Sequence, residues 1–191
     1  MMKLHDIRRS QYVIRWHLVN MRREQNIASH SWEVALLSLA IAEQCEPQIK
    51  GARLAILLRG ALLHDVGEVY TGDIAGASKE PGNRYKESVA LVHLLGGKGL
   101  GLDGELADIV KLADLLEAAK WISENGADTR HVRIVSESAE RRAMEFELKG
   151  CLNTPGVHHL RSHYLSDVPS LMLLFGDERD FIPRKVGAAE T

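Results

Sequence analysis

Residues 29 to 45, "SHSWEVALLSLAIAEQC", are apolar on nearly every side of a helical projection, and Pro47 stops the run. A helix with so little polar surface has to be enclosed, either by other helices or by lipid. A bilayer needs about 20 consecutive apolar residues, and the greasiest stretches, "VALLSLAIA" and "LAILL", fall well short. The enclosing helices must therefore come from protein, and the rest of the chain supplies candidates. "ARLAILLRGALLHD" follows Gly51, with Gly67 as a C-terminal signal. Further helices are expected from about Arg84 to Leu95, over "ELADIVKLADLLEAAKWI" (105 to 122), over the charged segment 128 to 149, and from Val157 to Phe175.

Residues 71 to 83, rich in glycine and proline, and the stretch from Gly96 to Gly104 read as connections. Alternating apolar and polar runs are scarce, so strands have little support. The fold class is all-α: one helical bundle over residues 1–191, with its core at about 10–150, then a C-terminal helix and a partly disordered tail. The 128 to 149 helix is amphipathic and solvated, and it offers a face for a homo-oligomer, dimer or higher.

The chain has 191 residues, 45% of them hydrophobic, enough for a sizeable core. A net charge of −2 disfavours a nucleic-acid polymer as partner, while a small phosphorylated ligand needs only a local basic patch. Cys45 and Cys151 form no CxxC pattern; they read as reduced thiols, although the count also permits one disulfide. The N-terminus "MMKLHDIRRSQY" has no apolar signal region. A cytoplasmic protein with no membrane partner is expected.

The second apolar helix runs directly into "LLHDVGEVYTGD", residues 62 to 73. A surface loop would explain its polar residues; a site at the end of a buried helix would explain both halves. The pair His64-Asp65 is weak by itself, because His5-Asp6 is the same dipeptide in no greasy context. Asp114 adds weight, since it lies in "VKLADLLEA", inside an apolar helix. A carboxylate removed from water costs several kcal/mol unless a cation meets it. That cation is an arginine or lysine, or a divalent metal. Lys111, three residues earlier, shares a face with Asp114.

His30, which opens the first buried helix with serines as candidate caps, completes a set of His30, His64, Asp65 and Asp114. The gaps, 34 residues from His30 to His64 and 49 from Asp65 to Asp114, let three successive helices bring all four to one point. Two imidazoles and two carboxylates suit Mn, Co, Zn, Fe or Ni, and around an octahedral ion they leave positions for water and substrate.

The ordered pattern H…HD…D in buried helices resembles the HD-domain metal-dependent phosphohydrolases. "RWHLVNMRREQNIASHSWEVALL", "HDVGEVYTGD" and "VKLAD" are similar to the bacterial 5′-deoxynucleotidases and the phage dATP triphosphohydrolases, over about residues 10 to 145. The resemblance implies an HD-type bundle whose metal ligands are His30, His64, Asp65 and Asp114. It implies a divalent transition metal (Mn, Co or Zn, with Fe or Ni as options) and allows a second ion, Mg, on the phosphates. Glu68 takes the place of the catalytic acid, and Asp73 that of the acid meeting the sugar 3′-hydroxyl. Arg15 corresponds to a phosphate-binding arginine and Trp16 to an indole that crowds the 2′ side. Lys79 and Lys111 match basic residues that meet phosphates, and Leu18 is placed to press on the base. The chain departs from the pattern at "IAGASK", which lacks the usual proline, and at His17, which replaces another; both bear on the pocket wall.

The implied activity is hydrolysis of the 5′-phosphoester of a 2′-deoxynucleotide, giving deoxynucleoside and phosphate. The alternatives are release of triphosphate from a dNTP, as in the phage enzymes, and a catalytically silent nucleotide-binding scaffold.

Overall fold

The computed structural model describes residues 1–74 and 79–166. Helices dominate it: α1 (Leu4–Ile7), α2 (Ile27–Cys45), α3 (Gly51–Leu63), α4 (Glu68–Thr71), α5 (Pro81–Leu94), α6 (Gly104–Asn125), α7 (Arg130–Phe146) and α8 (Pro155–Leu165). The expected all-α class holds, and no described helix is long and apolar enough to cross a membrane. The part of the expected C-terminal helix beyond residue 166, the tail, and residues 75–78 of the expected 71–83 connection lie outside the described residues.

Helix α2 starts at Ile27, two residues before the expected position, and its cap is Asn26 rather than a serine. The Asn26 side chain accepts the Ser29 backbone N–H at 2.9 Å, and its carbonyl accepts the Ser29 hydroxyl at 3.0 Å. The α2 positions turned inward, Ile27, His30, Val34, Ile41 and Ala42, are essentially inaccessible. Its opposite side leaves Trp32 and Leu36 about half exposed, so α2 is not enclosed all round. Helix α6 is the more completely buried rod, with Leu106, Ile109, Val110, Leu112, Ala113, Leu115, Leu116 and Ala119 all inside.

Helix α2 packs on α3, α6 and α8, and α7 covers α6 from outside. Asp103 caps α6 by accepting the Leu106 N–H at 2.9 Å. Helix α7 buries only Val132 and Ala143, which agrees with the solvated outer helix read from its charges.

One element has no counterpart in the sequence reading. Ile14–Arg15 (β1) and Gln25–Asn26 (β2) pair antiparallel, with Arg15 opposite Gln25. Two residues per strand are too few for a periodic signal, yet this ribbon carries the chain to the mouth of α2 and aims Arg15 and Trp16 inward.

Gly67 does not end α3 in the left-handed conformation expected of a C-terminal glycine; its φ of −59° and ψ of −28° are helical. Its role is steric. A Cβ there would lie 2.5 Å from the Glu87 carbonyl oxygen, so only a bare Cα lets α5 approach the turn that follows His64-Asp65. Gly67→Ala is expected to destabilise by about 1–3 kcal/mol through this overlap. Gly82→Ala, with open space around it, should stay within about 0.5 kcal/mol of wild type. Urea melts of both variants check the contrast.

Candidate functional site

Three helices converge where the sequence reading expected. His30 comes from the first turn of α2, His64 and Asp65 from the end of α3, and Asp114 from the middle of α6. His30 Nε2 lies 3.3 Å from His64 Nε2, 3.5 Å from Asp65 Oδ2 and 3.4 Å from Asp114 Oδ1. His64 Nε2 is 3.3 Å from Asp65 Oδ2. One ligand atom from each of the four residues falls within a cluster no wider than 4.8 Å.

Metal–ligand bonds of about 2.0–2.2 Å put adjacent ligands of one ion roughly 3.0–3.5 Å apart; the four spacings above fall in that range, and the widest pair, within 4.8 Å, leaves room for further ligands. Both imidazoles also present the correct nitrogen. His64 Nδ1–H donates to the Ala61 carbonyl at 2.7 Å, and His30 Nδ1–H to Glu117 Oε2 at 2.5 Å, which leaves both Nε2 lone pairs aimed at the shared centre. The donor set therefore fits a divalent ion.

The electrostatics agree. Burial opposes ionisation of Asp114, but the His30 contact and the Lys111 charge outweigh it and hold the carboxyl well below the usual carboxylate range. Asp65 is also held well down, against its burial, by His64, His30 and Arg15. The site thus keeps both carboxylates charged in a region poor in water.

Around this centre the other anticipated residues take defined places. Arg15 sits with Nη2 3.8 Å from Asp114 and Nη1 3.5 Å from Glu117, and its buried Nε makes no hydrogen bond among the described residues. Glu68 is buried; its Oε1 receives the Lys79 ammonium at 3.0 Å, and Oε2 has no hydrogen-bond partner among the described residues. Burial, then Asp65 and Asp73, push the Glu68 carboxyl up to about 8, with Lys79 pulling the other way.

Lys79 reaches Glu87 of α5 as well, at 2.8 Å, so it bridges two carboxylates. Lys111 is half exposed and pairs with Asp114 at 2.6 Å. Asp73 Oδ2 accepts the Trp16 backbone N–H at 3.1 Å. That bond helps hold Trp16 at a φ of +64°, a left-handed conformation costing a bulky residue about 1–3 kcal/mol. Leu18 is mostly exposed and lines a shallow groove with Arg15, Trp16 and Met21.

Glu117, Gln25 and Glu87 were not anticipated. Glu117 is entirely buried one turn beyond Asp114, and the reasoning that singled out Asp114 applies equally to it. Gln25 carries no signal of its own, since only the ribbon pairing brings it inward. Glu87 is recognisable only once α5 is seen against the Gly67 turn.

A family model described as 5′-deoxynucleotidase YfbR-like matches residues 4–94. A dATP triphosphohydrolase of Salmonella phage PMBT28 is 34% identical over 131 residues, covering 63% of this chain and 66% of the relative. The 5′-deoxynucleotidase YfbR of Salmonella newport is 28% identical over 125 residues, covering 62% of this chain and 60% of that protein. The chain thus spans slightly under two thirds of the length of these two relatives.

In fold it matches the Cyanophage S-2L HD phosphohydrolase DatZ, solved with dA and one catalytic Zn2+ ion. The TM-score is 0.70 at 20% identity, over 88% of this chain and 99% of that one. The family model, the relatives and the shared fold agree in what this chain is similar to: the YfbR-like 5′-deoxynucleotidases and phage dATP triphosphohydrolases in sequence, and an HD phosphohydrolase in fold.

Proposed function

We propose that this protein is a metal-dependent phosphohydrolase that cleaves the 5′-phosphoester of 2′-deoxynucleotides, with His30, His64, Asp65 and Asp114 as the metal ligands. The observation carrying this reading is the cluster of four donor atoms within 4.8 Å, with both imidazole Nδ1 hydrogens committed elsewhere. A divalent ion held there would acidify water towards a pKa of ~7 and polarise a phosphoryl oxygen. Zn, Mn or Co suits two nitrogens and two oxygens, with Fe or Ni as options; an Mg ion on the phosphates would be a second, substrate-borne ion.

The chain's own groups do the rest. Arg15 offers its free Nε to a phosphate oxygen, beside carboxylates that fix its charge. Lys111, and Lys79 when drawn from its carboxylates, add positive charge. Glu68 handles the proton of the attacking water or of the departing 5′-oxygen, with Oε2 as its open atom. Asp73, whose Oδ2 is engaged by Trp16, keeps Oδ1 for the sugar 3′-hydroxyl. The Trp16 indole closes the space a 2′-hydroxyl would need, and Leu18 meets the base. Hydrolysis then yields deoxynucleoside and phosphate from a monophosphate. Release of triphosphate from a dNTP is the second reading, favoured by the dATP triphosphohydrolases among the relatives. Assembly into a homodimer or higher oligomer through α7 is proposed on its amphipathic character. One structural unit over residues 1–191, acting in the cytoplasm, completes the reading.

A panel of dNMPs, dNTPs and ribonucleotides with Mn, Co, Zn and Mg tests the assignment. Deoxynucleotide turnover that chelation abolishes and a transition metal restores is the expected outcome; turnover indifferent to chelation would refute it. The product, phosphate or triphosphate, separates the two readings.

Trp16→Ala should shrink the deoxy-over-ribo preference in kcat/KM by roughly tenfold or more, since a single added hydroxyl is rejected here by shape. An equal loss on both substrate classes would argue against the role given to the indole.

Glu68 also makes a stability prediction for the metal-free protein. Its folded pKa, about 8, is raised above the usual 4.5. Its favourable contribution is therefore complete below pH 4.5 and is lost as pH rises to about 8. Glu68→Gln cannot ionise, so its Tm should gain on wild type across that window and run parallel to it outside. Thermal melts at stepped pH read the difference.

A further inference from the structure

A line of buried hydrogen bonds runs from the centre of the metal-ligand cluster to the wall of the sugar pocket. His30 Nδ1–H donates to Glu117 Oε2 at 2.5 Å, Gln25 Nε2–H donates to Glu117 Oε1, and Trp16 Nε1–H donates to Gln25 Oε1 at 3.0 Å. His30, Gln25 and Glu117 are all at most 1% exposed, so water does not compete for these bonds. We propose that Glu117 and Gln25 are positioning residues that set, through one shared carboxylate, both the orientation of the metal ligand His30 and that of the sugar-excluding indole of Trp16. This rests on the function proposed above and extends it to two residues outside the ligand set.

An ionised carboxylate accepts only, so Glu117 dictates that a donor face it from each side. On one side this selects the His30 tautomer whose Nε2 is free for the ion. On the other it turns the Gln25 amide so that nitrogen faces Glu117 and oxygen faces Trp16. The indole has a single N–H and no acceptor, and it binds only to that amide orientation. Arg15 Nη1 lies 3.5 Å from the same Glu117 oxygen that accepts from His30. A buried residue of either wrong polarity would break the sequence at a defined place, because no link can reverse without leaving two donors opposed.

Glu117→Gln is the isosteric test. Its amide oxygen must turn to His30, so its NH2 faces Gln25. Gln25 then flips, and its own NH2 meets the indole N–H. Two readouts are used: the Kd for Co(II), followed by visible absorption on metal-free protein, and the ratio of Kd values for deoxyadenosine and adenosine 5′-monophosphate. In E117Q, Co(II) affinity should fall roughly 10–100-fold, as for loss of a ligand's outer partner, and the deoxy preference should fall roughly tenfold.

Gln25→Met should lower the preference and leave Co(II) affinity near wild type. The double variant Q25E/E117Q restores an unbroken donor–acceptor order with the charge moved one place. It should regain the deoxy preference lost in Q25M and E117Q, while Co(II) affinity stays weak because His30 now faces a neutral amide. The Q25M and double-variant arms stand even if E117Q fails to fold. E117Q with wild-type values in both readouts, or a double variant no more selective than Q25M, would overturn the proposal. Neither readout needs turnover, so a wild-type protein that hydrolyses no nucleotide would refute the proposed function and leave the Co(II) result to decide this one.

Discussion

Two carboxylates that cannot be left alone govern this structure. Asp65 and Asp114 sit among apolar helices, where an unpaired negative charge costs several kcal/mol. The chain answers with cations and donors from every side: Arg15 from the ribbon, Lys111 from the same helix, and imidazoles from α2 and α3. The same arrangement that makes these acids tolerable in the folded chain also brings their oxygens to the two imidazoles. The packing of α2 against α3 and α6 brings the charges to one centre, so stability and chemistry draw on the same contacts.

Surrounding groups divide the labour by what they leave open. Among the described residues, the buried Arg15 Nε and Glu68 Oε2 have no hydrogen-bond partner, whereas Arg15 Nη1 meets Glu117 and Glu68 Oε1 receives Lys79. Lys79 joins Glu68 to Glu87 and so ties the site to α5, whose approach depends on the missing side chain at Gly67. Trp16 holds an unfavourable backbone conformation against the carboxylate of Asp73. Strain of that kind persists where surrounding bonds fix a side chain in place, here an indole tied to Gln25.

Much of this was legible from residue order. The apolar runs marked α2, α3 and α6, and a carboxylate at Asp114 with histidines on two other apolar helices was enough to expect a shared centre. Buried charge is a strong signal because it is expensive, and it would have exposed Glu117 as well, one turn further along α6. What stayed hidden has short range or no pattern. The ribbon of Arg15 and Gln25 is two residues long on each side, below any period that a sequence can display. Gly67 looked like a helix stop because its steric partner, the Glu87 carbonyl, is twenty positions away in sequence and adjacent only in space. The exposed Trp32 and Leu36 show the converse limit: apolar composition alone did not reveal which side of α2 faces outward.

The most direct test is a count of metal ions. Metal-free protein loaded with Zn(II), passed through a desalting column and analysed by plasma mass spectrometry should retain one tightly held ion per chain. Asp114→Asn and His30→Ala should each retain almost none while keeping the helical circular dichroism of wild type. Full retention by either variant would contradict a centre built from these four side chains.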